Sequence, residues 1–456
     1  MKPFIPEPND WFNHFPSVPR LARQVHVALP CVGIDGSGWA LKLLGANFHC
    51  NNVYDLERRY QKYLETYMES AEPPRLGSDN GDVLKVKLSE WERPVHLLLA
   101  GPPCPPWAGN GNHKGAEDQR AEVFLRIVNV VGSLAKCGEL QAVVLENVKG
   151  ILHKQKGQTE SFMDKLVSCL KAEIPEFLWD VSLLKAKDYL LPQDRTRVFL
   201  RGIRSGAARF WVQKFERIFV PGIPSVNRGS LTSCMQKNLK DAQGQLKELF
   251  ANGDLEESDI VCFPLDRADG KCYKRQICKN KVPTLTTSNS YLFVSDMNFS
   301  KPDHERDFFR FLLPQERFTL QGFPAFISSS FNSQALQIKA AGNAYPVPLI
   351  AAAVAGLLEK IGPDDLPRVD KALEDQPALR LRLEEAISVR KRKTAKHAPK
   401  KDDAEKTVDQ TVTGHQRPLK RPASASSTTV VKNLEKPRFK DAWRLNGFLS
   451  SSSSSS

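Results

Sequence analysis

No run of 18 uninterrupted apolar residues occurs anywhere in the 456 residues. A bilayer-crossing helix needs about that length, so no membrane span is expected. The opening Met1-Lys2-Pro3-Phe4 leads into prolines and acids, not the apolar core of a signal peptide. The nine cysteines share no repeated spacing. That argues against a disulfide framework and for reduced thiols inside a cell. Cys262, Cys272 and Cys278 form no CxxC pair, so no metal site is expected. The first glycine-rich turn, Gly33-Ile34-Asp35-Gly36-Ser37-Gly38, lacks the GxGxxG spacing, which disfavours a dinucleotide.

Most of the chain also lacks an excess of charge of one sign. The net charge is +13, but residues 388–440 hold 15 Lys/Arg against 5 Asp/Glu, leaving only +3 for the rest. A case for nucleic-acid binding by the core must therefore rest on particular residues. Hydrophobic residues at 41% and charged residues at 26% are ordinary for a globular protein.

What is present centres on Gly101-Pro102-Pro103-Cys104-Pro105-Pro106-Trp107. The apolar segment 95–100 precedes it and an amphipathic stretch follows. Four prolines stiffen the loop and cannot continue a strand. A thiol on a stiff turn at a strand's exit lies where open α/β sheets bind ligands. The same residues also read as a proline-rich turn with an incidental cysteine.

In chain order, residues 1–24 form an arm without an assigned role. Val25 to Val32 reads as a strand ending near Pro30. The glycine turn then leads into a helix, so that a ligand can approach backbone at a helix N-terminus. Ala46–Tyr54 is a second strand. Asp55, just after it, is placed either for ribose hydroxyls or as a first-turn carboxylate of a helix 56–68. Asp82, in a loop, could accept from an exocyclic amine. Residues 120–137 have helical spacing, and 141–148 is another buried strand, ending in Glu146-Asn147. Strand, helix, strand implies parallel neighbours with a right-handed crossover. Cys104 and Glu146 can then face one pocket.

A helix is expected over 161–173 and a strand over 178–184. Along Gln193-Asp194-Arg195-Thr196-Arg197, one strand would point Gln193, Arg195 and Arg197 to the same side, for a ligand or for a salt-bridge ladder. From 204 to 282 regular patterning dissolves into a loop-rich insert. Residues 313–324 read as a helix with a glycine stop. Residues 341–348 read as a turn entering a helix 349–358. Beyond 361 the composition shifts to a basic, largely disordered tail, with a charged helix over 366–389. Such a tail suits nuclear import, non-specific phosphate contact or solubility alone.

Laid side by side, these residues resemble the cytosine-C5 methyltransferase family over about 25–360. Gly33-Ile34-Asp35-Gly36 is similar to its first cofactor motif, Gly101-Pro102-Pro103-Cys104 to its nucleophile motif and Glu146-Asn147-Val148 to its acidic motif. Gln193-Asp194-Arg195-Thr196-Arg197 is similar to its QxRxR motif. Leu320–Pro324 and Gly342-Asn343-Ala344-Tyr345-Pro346 are similar to its last two. The sequence departs from the pattern at Cys31, where an aromatic is usual, and at Asp35, which replaces a glycine.

The resemblance implies a Rossmann-like α/β sheet dependent on S-adenosylmethionine, with a smaller inserted target-recognition subdomain. Its parts would be a catalytic core over 25–203 and 283–360, the insert over 204–282 and the tail over 361–456. The catalytic residues implied are Cys104 as nucleophile, Glu146 as the acid at the base, and Arg195 and Arg197. Gly33, Ile34, Gly36, Asp55, Asp82, Pro102 and Asn343 would bind the cofactor. Pro103, Asn147 and Gln193 would contact the substrate. The implied partner is duplex DNA with its cytosine flipped out. A tRNA substrate is the rival, kept open by Cys262-Phe263-Pro264, close to the Cys-Phe-Thr of that branch. A catalytically silent nucleic-acid-binding homologue and a nucleotide-dependent oxidoreductase are the readings from other classes.

Overall fold

The computed structural model describes residues 24–67, 81–104, 107, 120–154, 158–189, 191–204, 233–257, 259–265, 276–287, 290–294, 309–359, 361, 373 and 375–384. The chain divides into two units, Met1–Ile387 and Ser388–Ser456, and every described residue belongs to the first. The expected arm, 1–24, lies outside the described residues except for its last, as do Cys272 and the tail from 385 onward.

Apolar segments of strand length and amphipathic stretches alternate through the first half, and each folds as its period dictates. β1 (Val25–Pro30), α1 (Gly36–Leu43), β2 (Phe48–Tyr54), α2 (Arg58–Tyr67), β3 (Leu97–Ala100), α3 (Ala121–Lys136), β4 (Ala142–Val148), α4 (Phe162–Glu173) and β5 (Phe177–Lys185) follow in order. β6 (Gln193–Asp194) and β7 (Thr196–Arg204) come next. Six strands form one sheet in the order β2-β1-β3-β4-β7-β5. β1 is parallel to both β2 and β3, and β3 to β4. β7 runs antiparallel between β4 and β5. From β1 the chain passes to β2 on one side and later to β3 on the other. That reversal opens a crevice at the carboxyl ends of the central strands.

Local chemistry sets the helix starts. Asp35, with φ 61°, caps α1 by accepting from the backbone N–H of Gly38 at 2.7 Å. A Cβ on Gly38 would lie 2.3 Å from the Asp35 carboxylate, so the cap requires glycine there. Ser161 and Asp164 form a reciprocal capping box at the start of α4. The largest core packs Leu98, Val143 and Leu145 against Phe124, Ile127, Val128 and Leu134 of α3.

The second half departs from expectation in three places. The stretch expected to be loop-rich contains α5 (Ser233–Ala251) and β8 (Val261–Pro264), with β9 (Cys278–Lys279) and β10 (Val282–Pro283) after them. β11 (Tyr291–Val294) and β12 (Phe309–Phe311) complete a four-stranded sheet, β12-β11-β8-β9. That sheet crosses the expected boundary at 282. Ala242 and Leu246 of α5 pack on Val261, Phe263, Leu292 and Val294 in a separate core. Strands this short carry too few alternations to be legible, and Lys and Gln crowd the polar face of α5.

Next, α6 (Pro314–Thr319), α7 (Gln334–Asn343) and α8 (Val347–Leu358) close the described core. Residues 341–343, expected in a turn, are the last turn of α7. The turn proper is Ala344-Tyr345-Pro346. The stretch 334–358, which is α7 and α8 with the turn between them, has the length and apolar composition of a membrane span, but 94% of its apolar window is buried inside the protein, so it is core. Third, the tail does not begin at 361. Residues 377–384 are helical, within the charged helix expected over 366–389, and Leu373, Leu379 and Leu383 join the core beside α3. Gln376 donates its backbone N–H to Asn129 at 2.6 Å.

Candidate active site

A cleft of about 570 Å³ lies at the carboxyl ends of the central strands. Gly33, Ile34 and Gly36 of the first turn line it, with Asp55 from the end of β2, Asp82, and Pro102, Pro103 and Cys104 after β3. Glu146, Arg195, Arg197 and Asn343 line it as well, while Asn147 and Gln193, also expected from sequence, do not. Ala100 pairs with Leu145 in parallel register, so Gly101, just past the end of β3, lies beside Glu146, which is still within β4 and paired with Phe199 of β7. This brings the cysteine loop and the carboxylate to one wall although 42 positions separate Cys104 and Glu146.

Glu146 is 8% exposed, and Arg197 Nε lies 2.8 Å from its Oε1. Burial pushes the Glu146 carboxyl above its usual range, and Arg197, then Arg195, oppose the shift. The Cys104 thiol is pushed up by burial and by the charge of Glu146, against the pull of Arg197 and Arg195. Both groups are thus biased toward their protonated forms. Arg195 pulls toward the thiolate, but behind Arg197, and burial outweighs both.

Gln193, Arg195 and Arg197 do not share one strand face. The strand breaks at Arg195, because Gln193 and Asp194 pair with β10 while β7 starts at Thr196. Gln193 is fully buried and donates to the Leu320 carbonyl at 2.8 Å, outside the cleft lining. Arg195 donates to the carbonyls of Leu285 at 3.1 Å and Ala344 at 2.6 Å. Burial, then repulsion from Arg197, pushes its guanidinium down to about 9. Asn147 likewise lies outside the lining. It donates to the Pro102 carbonyl at 3.4 Å and accepts from the Val148 N–H at 2.9 Å. Gln193 and Asn147, expected to contact substrate, thus hold the backbone at Leu320 and Pro102.

On the opposite wall, Asp55 accepts from the Gly33 N–H at 2.8 Å and from the Glu57 N–H at 2.9 Å. Burial pushes its carboxyl up to about 6 despite these two donors. Of its two sequence readings, the structure supports the cleft carboxylate. Asp82 lines the same wall and is paired with Lys85 at 3.6 Å.

Tyr345 is the side chain that sequence reasoning quoted without assigning. Its ring lies between two glycines, where an added Cβ would stand 3.0 Å away at Gly36 and 2.6 Å away at Gly101. Its hydroxyl is 3.0 Å from Ser37 Oγ. The glycines at 36 and 101 are therefore space requirements imposed by one aromatic ring. Glu57, Tyr60 and Lys339 also line the cleft. The spacing of Lys339 four residues before Asn343 on a helix was the available signal for it.

Comparison with known proteins bears on this arrangement. The family described as C-5 cytosine-specific DNA methylase matches residues 31–359. The chain is 24% identical over 312 residues to the Type II methyltransferase M.FnuDI of Fusobacterium nucleatum, covering 64% of this chain and 83% of that protein. It is 27% identical over 277 residues to the Type II methyltransferase M.SsoII of Shigella sonnei, covering 60% and 66%. Among solved structures, the Entamoeba histolytica methyltransferase EhMeth superposes with a TM-score of 0.48 at 14% identity, over 75% of this chain and all of that one.

Proposed function

Because the chain belongs to the C-5 cytosine-specific DNA methylase family, we propose that it methylates carbon 5 of cytosine in DNA, with Cys104 as covalent nucleophile and S-adenosylmethionine as donor. The observation that carries this reading is the convergence of Cys104 and Glu146 on one cleft, with Arg197 fixed on the carboxylate.

The cleft residues suit the donor. Gly33 leaves bare backbone, with nothing within 4 Å of where its Cβ would be, and Gly36 lines the cleft beside the Tyr345 ring. Asp55 would accept from ribose hydroxyls, Asp82 from the adenine amine, and Asn343 would close the pocket. S-adenosylmethionine supplies a methyl group on an electrophilic sulfonium.

Cytosine C5 is a weak nucleophile until the ring is activated. Cys104, as thiolate, adds to C6 and breaks the aromaticity. Glu146 shares a proton with N3, neutralising the charge that this addition drives into the ring. C5, now enamine-like, would be the nucleophile toward the donor's methyl group, the S–CH3 bond breaking to leave a neutral thioether. Loss of the C5 proton to water and expulsion of Cys104 restore the aromatic base and the free thiol. Arg197 orients the Glu146 carboxyl, while Arg195 holds the Leu285 and Ala344 backbones around it. A base within a duplex must first leave the stack.

RNA is the second reading. Cys262 and Phe263, on which it rested, are fully buried in β8, which leaves that tripeptide no support as an RNA contact. Nuclear import rests on the basic sequence of 388–440 alone. The deciding experiment is transfer of labelled methyl groups to duplex DNA and to tRNA by wild type and Cys104→Ser. Labelling of DNA by wild type only is expected. Equal labelling by both proteins would remove the nucleophile assignment, and labelling of tRNA alone would reverse the order of the substrates.

A further inference from the structure

The rim of the cleft is crossed by two side-chain ties between elements about 280 positions apart. Lys339 Nζ lies 2.7 Å from Glu57 Oε2. One helical turn on, Asn343 donates to the Tyr60 hydroxyl at 3.5 Å. Lys339 and Asn343 are four apart on α7, while Glu57 and Tyr60 are three apart at the start of α2, so each pair shares a face. All four side chains line the cleft.

The Glu57 end of this clasp is fixed. Arg59 also holds the Glu57 carboxylate, through Nε at 2.7 Å and a second nitrogen at 2.8 Å. Arg59, with Lys339 behind it, keeps that carboxyl down at about 2. The Glu57 N–H binds Asp55, whose other oxygen binds the Gly33 N–H. The chain of contacts therefore runs from the first glycine turn through Asp55 and Glu57 to Lys339 on α7.

We infer that Lys339 is a positioning residue for the cofactor. Its ion pair with Glu57 draws α7 and the Asp55–Glu57 segment together across the cleft mouth, and it must part before the bound nucleoside leaves. The inference rests on the cofactor reading above and adds the control of release to it. Lys339 acts here through Glu57. The lysine side chain is 43% exposed and Glu57 22%, so the clasp sits where salt reaches it, and its strength must fall as ionic strength rises.

The test is stopped-flow release of S-adenosylmethionine and its demethylated product from the full chain, at low and high salt. Lys339→Met and Glu57→Gln should each speed release about threefold to fivefold, in the range for partly exposed ion pairs. The double variant should release no faster than either single one, and Lys339→Arg should retain wild-type release. Salt should speed release from wild type and hardly affect the two charge-removed variants. Unchanged melting temperatures would separate these effects from loss of fold. Wild-type release rates in both single variants would overturn the clasp. So would an effect confined to Lys339→Met, which would mean that the lysine touches the ligand directly. Wild type that binds neither probe would overturn the cofactor reading together with the clasp.

Discussion

Glu146 is paired with Arg197, at 2.8 Å, while Arg195, two positions earlier, gives its guanidinium to the carbonyls of Leu285 and Ala344. Arg197 thus meets the carboxylate directly, while Arg195 acts on it from a distance and holds the surrounding backbone.

Arg197→Ala should lower the methyl-transfer rate by about a hundredfold, within the usual reach of acid–base positioning. Arg197 is the leading charge opposing burial on both Glu146 and Cys104, so its removal raises both pKa values. The thiolate limb of the pH–rate profile should then move to higher pH. A single-turnover profile with an unmoved limb would contradict this.

Arg195→Met should act first on stability. It strands two buried carbonyls that now accept from the guanidinium, at a cost of about 2–4 kcal/mol. Urea unfolding should record that loss with the cofactor absent. A normal midpoint alongside lost activity would return Arg195 to a purely chemical role.

Gly101→Ala places a methyl group 2.6 Å from the Tyr345 ring. Overpacking of that kind costs about 1–3 kcal/mol, and the displaced ring should also weaken cofactor binding. Gly33→Ala meets nothing within 4 Å, but the residue has φ +60°, so only backbone strain of about 1 kcal/mol applies. Calorimetric titration of both variants checks the order: Gly101→Ala should lose the more affinity.

Asp35→Asn should stabilise the protein at neutral and higher pH. Burial raises the folded pKa of Asp35 from 3.8 to about 7. Below pH 3.8 both states are protonated and nothing is lost. Between there and pH 7 only the unfolded state is ionised, so the wild type loses stability as pH rises, by at most about 4 kcal/mol. Asparagine keeps the cap and tolerates the left-handed backbone. The two melting curves should therefore converge in acid and separate by pH 7. Parallel curves at all pH values would refute the buried-charge argument.

Truncation after residue 361 removes the buried Leu373, Leu379 and Leu383, each contributing about 1.5–3 kcal/mol. Truncation after 387 spares them. Thermal unfolding should show a large drop for the first and little change for the second. Equal midpoints would mean that the segment only rests on the surface.

The strands and helices from Val25 to Leu200 were legible because their apolar periods are long and glycine or proline marks their ends. The same holds for Gly33, Asp55 and Cys104, which follow strand ends, and for Glu146 near the carboxyl end of β4, where sequence position and cleft position coincide. Gln193 was wrongly set on one face with Arg195 and Arg197 because a strand pattern fixes which way residues alternate but not where a strand breaks. The insert was misread because four-residue strands give no countable period. Leu379 and Leu383 were passed over in a stretch whose charges suggested solvent.

The amino-acid sequence alone determines the order of strand, turn and helix, and the chemical kind of group at each strand exit, because short-range sterics and hydrophobic period act within a few residues. Only the tertiary structure decides that Arg197 meets Glu146, that Tyr345 fills the space two glycines leave, and that Lys339 reaches Glu57. Those pairs are joined by sheet register and helix packing, and a separation of 50 to 300 residues leaves no periodic trace in the chain.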